Sequence, residues 1–208
     1  MKRSTGVKAK VERAAIELFA ARGVDGVSIG DIAALACVSQ GALYRHYPSK
    51  EDLAWSLFRT AYLRMGGELD AIRERHPDLT TRLGAMVGHF CTLYDEDPAL
   101  FRFMLLAQHG LLPRLGPEQR TPVKAVAEVV AEAARRGELA RGSVDAVAAA
   151  AAIMGIVLQT ALFHVYGSLS GPLSARAPEL TRAGLAAVAA LSREKPRTEP
   201  LSRTSEHP

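Results

Sequence analysis

Residues 28–50 of this chain read SIGDIAALACVSQGALYRHYPSK. Ser28 stands just before Ile29, Ile32, Ala33 and Ala36, which share one helix face, and Asp31 is placed to close a capping box. Ser39 suits the N-cap of a second, very short helix over Gln40–His46. Ser49 suits the N-cap of a third, with Asp52 three residues on. Almost nothing separates the first pair. Two helices joined so tightly are the helix-turn-helix arrangement, in which one helix braces the next against DNA.

Working outward, Val11, Ala15, Leu18 and Phe19 form another apolar face, ended by Arg22-Gly23. Residues 6–47 therefore hold three helices. Downstream the pattern lengthens, and the spacing predicts helices over 50–75, 79–94, 98–112, 123–136, 143–166 and 178–193. Asp97 and Ser143 serve as caps, and Pro98 sits in a first turn. The fold class is all-α: an N-terminal three-helix domain, residues 1–50, and a six-helix body, residues 51–193. Residues 194–208 carry charges and prolines without apolar spacing and read as a disordered tail.

Charge sharpens the division. The first fifty residues hold eight Lys and Arg against four Asp and Glu, the whole of the net charge of +4. A polyanion is drawn to that end by phosphate contacts and counterion release. The N-terminus is basic but lacks an apolar stretch, so it is not a secretory signal. The two cysteines, Cys37 and Cys91, form no metal-binding or disulfide pattern, and a reducing cytoplasm is the expected setting. Residues 146–175 contain no Asp, Glu, Lys or Arg. That stretch is alanine-rich and interrupted by Gln159, Thr160 and His164, so it reads as a helix buried on nearly all sides, partly under a second subunit, rather than a membrane span. No glycine-rich phosphate loop, nucleophile–base set or metal cluster is present. The expectation is therefore no enzyme, no catalytic residues, no cofactor and no metal.

Residues 11–57 resemble the N-terminal domain of the TetR (tetracycline-repressor-like) family. The likeness is carried by Ala14-Ala15, Leu18-Phe19, Gly23, Ser28, Ile32-Ala33, Val38-Ser39, Gly41, Leu43-Tyr44, His46-Tyr47, Ser49-Lys50-Glu51 and Leu53. The resemblance implies a homodimeric transcriptional regulator of double-stranded DNA with a palindromic operator. It also implies a small-molecule effector bound among the body helices, with release of a repressor as the expected response. An activator, or an architectural DNA-binding protein without effector, stays open at this point.

The implied DNA-binding residues are Ser28, Ser39, Gln40, Gly41, Ala42, Tyr44, Arg45, His46 and Lys50. Gln40 and Arg45 have the chemistry to read adenine and guanine edges, and Gly41 and Ala42 allow close approach. Tyr44, His46, Ser28 and Lys50 are expected at phosphates, helped by a basic arm of Lys2, Arg3, Lys8 and Lys10. Leu43, Val38 and Tyr47 are expected to face the core. The implied ligand-binding residues are His89, Phe90, Tyr94, Met104, Gln108, Gln159 and Phe163, apolar groups with a few polar ones. Cys37 departs from the family pattern, which has glycine between the paired helices. It is expected to be a small, inert filler in a slightly strained turn.

Overall fold

The computed structural model describes residues 2–139 and 144–192, with side chains from residue 6 onward. The described residues form nine α-helices: α1 (Lys2–Arg22), α2 (Ile29–Leu35), α3 (Gln40–Tyr44), α4 (Lys50–Arg75), α5 (Leu79–Glu96), α6 (Pro98–Leu111), α7 (Pro122–Arg135), α8 (Ala146–Val165) and α9 (Ala177–Leu191). Short 3₁₀ turns occupy Leu112–Arg114 and Leu173–Arg176. Among the described residues there is no strand, so the all-α expectation holds.

Local chemistry sets most helix starts. Ser49 accepts from the Asp52 amide at 3.0 Å, Asp97 from Leu100 at 3.1 Å, and Thr121 from Lys124 at 3.3 Å. Asp145, not Ser143, precedes α8, and one of its carboxylate oxygens accepts from Val147 and Ala148 at 2.9 and 3.1 Å. Ser143 and residues 194–208 lie outside the described residues. At the other end, α1 begins at Lys2, so Lys8 and Lys10 ride on a helix rather than on an extended arm.

Two cores meet along α4. Val11, Phe19, Ile32, Leu43, Leu53 and Phe58 close the head. Phe103 of α6 reaches into that core and packs on Phe19, with ring centroids 5.6 Å apart. Arg13 of α1 reaches both carboxylate oxygens of Asp97 at 2.8 and 3.0 Å, tying α1 to the start of α6. Leu83, Val129, Val130, Ile153, Leu173 and Val188 form the centre of the body. Asp95 holds the turn after α8 by accepting from the amides of Leu173 and Ser174 at 2.8 and 2.9 Å.

Within the single chain, helix α8 is covered on one side only. By length and composition it is the one helix among the described residues apolar enough to cross a membrane, yet only 28% of its apolar window is buried in the chain. Ala149, Ala150, Ile153, Val157 and Ala161 face inward. Val147, Ala151, Gly155, Gln159 and Phe163, four residues apart, form an exposed stripe on the opposite side.

Candidate nucleic-acid interface and ligand cavity

The head presents α3 outward. Leu43 is fully buried and anchors it, while Gln40, Gly41, Tyr44, Arg45 and His46 are exposed. Ala42 is half-buried. The helix is shorter than its sequence suggests: it ends at Tyr44 with Arg45 as C-cap, and His46 follows in a turn whose amide donates to Leu43 at 2.9 Å. The Ser39 oxygen caps α3 by accepting from Ala42 at 3.2 Å. Arg45 lies along the helix, its Nε donating to the Gly41 carbonyl at 3.3 Å, and its guanidinium meets solvent. Gly30 makes room for Gln40, since a β-carbon there would stand 3.3 Å from the Gln40 amide nitrogen.

Two expected phosphate contacts are already engaged within the chain. The Ser28 oxygen accepts from the Asp31 amide at 3.1 Å while Asp31 accepts from the Ser28 amide at 2.9 Å, a complete capping box. These Ser28 bonds, the backbone one foremost, hold the Asp31 carboxyl below its ordinary pKa. Lys50 donates to the carbonyls of Asp25 and Val27 at 3.2 and 3.0 Å, so its ammonium braces the α1–α2 loop instead of pointing away from the head. Tyr47 packs inside the head as expected, its hydroxyl donating to Glu12 at 2.6 Å. Burial first, and then Glu12, raise its pKa.

Cys37 sits in the left-handed region with φ of 54°. Its amide donates to Ala34 and the Val38 amide to Ala33, at 3.1 and 3.0 Å, a Schellman closure of α2. The thiol is exposed, so Cys37 is not the buried filler expected from sequence. Side chains at positive φ cost about 1 kcal/mol. Cys37→Gly is therefore expected to raise stability by about 0.5–1 kcal/mol, the glycine's greater freedom in the unfolded chain taking back part of the gain. The check is a higher urea midpoint at unchanged denaturant slope. Cys91 is buried, and burial followed by the Asp95 charge pushes its thiol pKa up to about 11, which keeps it protonated and inert.

The body holds a cavity of about 710 Å³, counted out to its mouth. Helix α4 contributes Phe58, Tyr62, Met65 and Leu69, and α5 contributes Leu83, Met86, Val87 and Phe90. Helix α6 adds Phe101, Met104, Leu105 and Gln108; Pro122 and Val126 of α7 and four residues of α8 complete the wall. Of the residues expected at a ligand, Phe90, Met104 and Gln108 line it.

The other four do not. His89 turns to the α4 side and meets Glu68 at 3.0 Å. Tyr94 continues the Phe90 stripe beyond the cavity's end, packing on Phe101 and His164 at centroid distances of 5.8 and 5.9 Å. Gln159 and Phe163 lie on the exposed stripe of α8, which faces away. On α4, Met65 is expected at a pocket from sequence, while Phe58, Tyr62 and Leu69 were missed because nothing local separates a cavity-facing Phe, Tyr or Leu from any other core residue.

Residues 13–56 match the sequence profile of the bacterial regulatory proteins of the tetR family. Over 61 residues, 29% of this chain, there is 44% identity to MftR of Mycobacterium tuberculosis, a protein named for transcriptional regulation of mycofactocin biosynthesis. The match spans 31% of that relative's length. Among solved structures, the fatty acid degradation regulator FadR from Bacillus halodurans superposes with a TM-score of 0.76 at 20% identity, covering 85% of this chain and 93% of its own. FadR from Bacillus subtilis, solved in complex with stearoyl-CoA, gives 0.70 at 20% identity over 86% and 98%. At that identity these structures speak to the fold, and the fold they share is the head-and-body arrangement described above. Residues 13–56, with the exposed α3, thus match the bacterial regulatory proteins of the tetR family, and the six-helix body behind them shares the fold of the solved structures.

Proposed function

We propose that this chain is a homodimeric, DNA-binding transcriptional repressor, working in the cytoplasm, whose α3 enters the major groove of a palindromic operator and whose release is driven by a small, largely apolar effector in the body cavity. The observation that carries the reading is Phe58. It is fully buried in the head core and also lines the cavity, on one unbroken helix. A ligand that repositions the cavity wall acts directly on the element that seats the head. For this to change DNA affinity, the ligand must favour one spacing of the two heads over the other.

The dimer reading rests on α8 and α9. The exposed stripe of α8 is small and apolar at Ala151 and Gly155, and α9 adds exposed Ala183, Ala186 and Ala190 beside it. Pairing two such faces from two copies makes a four-helix interface and covers the apolar surface. The domain division accords with the same picture: residues 1–50 read DNA and residues 51–193 sense and dimerise.

The test starts by selecting duplexes from a random pool and measuring affinity for the selected and random sequences at several salt concentrations. The expected product is a site with two-fold symmetry. Arg45→Ala is expected to cost about 1–3 kcal/mol on the selected site and much less on random DNA. Equal losses on both would remove Arg45 from base reading, and failure to select any sequence would sink the reading as a whole.

A further inference from the structure

The cavity bears on the kind of molecule it admits. Among the described residues that line it, none is charged, and Gln108 is the one side chain that carries an amide. Apart from the Tyr62 hydroxyl and that amide, the wall is hydrocarbon and thioether. One N–H of Gln108 donates to the Leu105 carbonyl at 3.2 Å within its own helix, leaving its second N–H and its oxygen able to meet a ligand.

A second cavity adjoins the first, and Met65, Phe101 and Met104 line both. Around it stand Glu68, Glu96 and Asp97 against one arginine, Arg64. Asp97 is held by Arg13, and Glu68 by Arg64 and His89, while the exposed Glu96 adds negative charge at the rim.

We propose that the effector is an uncharged, mostly hydrocarbon molecule with a single hydroxyl or carbonyl group hydrogen-bonded to Gln108. This rests on the effector reading above and goes further by excluding charged lipids. A carboxylate or ammonium drawn into the main cavity would lose its hydration and find no counter-charge, a large penalty. An anionic head lodged in the neighbouring cavity would face more carboxylates than guanidinium groups. A hydroxyl loses little, because Gln108 can both donate to it and accept from it. Pockets of this polarity take small ligands largely through apolar contact, with the few polar groups fixing orientation.

The experiment is isothermal titration calorimetry of the full chain with four twelve-carbon probes below their micelle concentrations. These are 1-dodecanol, dodecanoate, dodecyltrimethylammonium and dodecanoyl-CoA. Dodecanol is expected to bind at least about tenfold more tightly than any of the three charged probes. A charged probe that binds as tightly as dodecanol would overturn the proposal. Gln108→Leu, with its melting temperature measured alongside, is expected to weaken dodecanol about tenfold; an unchanged affinity would overturn the role of Gln108. Gel shifts on the selected duplex separate the two readings. A charged probe that binds best and releases DNA defeats this inference while the effector reading stands. Absence of binding by all four, with DNA binding intact, defeats both.

Discussion

Gly66→Ala is expected to destabilise the body by about 3 kcal/mol, from overpacking where there is no room to relax. Gly66 lies buried in the middle of α4, where the segment entering α7 crosses it. A β-carbon there would stand 2.9 Å from the Arg120 carbonyl carbon and 3.0 Å from that of Thr121, with the Arg120 oxygen nearer still. The obstacle is backbone, so no side-chain rotation clears it. Two responses are open to the chain. The 120–122 segment can lift, withdrawing Pro122 from the cavity wall and disturbing the Thr121 cap of α7, or α4 can bow. Either one alters the cavity, so a loss of ligand affinity is expected along with a lower melting temperature. Gly67→Ala is the control. The neighbouring glycine has open space where its β-carbon would go, and alanine is the better helix former by roughly 1 kcal/mol. The pair should shift stability in opposite directions by chemical denaturation. Destabilisation of similar size in both would show that the close crossing at Arg120 is not what makes Gly66 necessary.

That contrast marks what the sequence could and could not reveal. Ser28, Ser39, Ser49 and Asp97 were legible as caps because a cap is decided within four residues, by a short polar side chain and an apolar face behind it. The bounds of α4 were legible because Ser49 opens it and Pro77 stands just past its end. Cys37 was legible as a strained or differently shaped turn because the family that residues 11–57 resemble has glycine there, the residue that suits a left-handed position. Its exposure was not, since exposure depends on what packs beside the turn.

The cavity was half legible. On α8 the stripe Val147–Phe163 is apolar but for Gln159, the stripe Ile153–Ala161 is apolar throughout, and one amide among so many apolar groups does not say which of them faces the body. The inner stripe packs against α7 and α9, and that choice is made by tertiary packing. Gln159 and Phe163 face away from the cavity for this reason, and His89 and Tyr94 stand outside it by a small rotation and a small translation along α5. Gly66 and Gly67 are adjacent and identical in sequence terms, and only a chain segment some fifty residues away separates their roles.

Glu132→Ala is expected to cost about 3 kcal/mol, because it strips the buried Arg82 and the half-buried Arg73 of a shared carboxylate. Glu132 of α7 takes Arg82 Nη1 at 2.6 Å and Arg73 Nη1 at 2.8 Å on its two oxygens, joining α7 to α5 and α4 at once. Arg82 is buried, and its Nε is spent on the His76 carbonyl at 2.8 Å, so little of it can turn to water in place of the lost carboxylate. Arg73 keeps Glu128 at 2.7 Å, which softens its share of the loss.

The same geometry sets a pH dependence. Burial by itself would raise the Glu132 pKa; the Arg82 hydrogen bond and the charges of Arg73, Arg82 and Arg136 outweigh it and leave the carboxyl below its ordinary value. A carboxyl depressed in the folded state contributes its stability above the unfolded-state pKa of about 4.3, and that contribution is lost as pH falls through the folded value. Glu132→Gln keeps the shape and one accepting oxygen but no charge. The stability gap between the native chain and Glu132→Gln is therefore expected to be constant from neutral pH down to about 5 and to close below about 4.3. Urea titrations of both proteins across that range measure it directly. A gap that stays open in acid would mean that packing around Glu132, rather than its charge, holds α7 against α4 and α5.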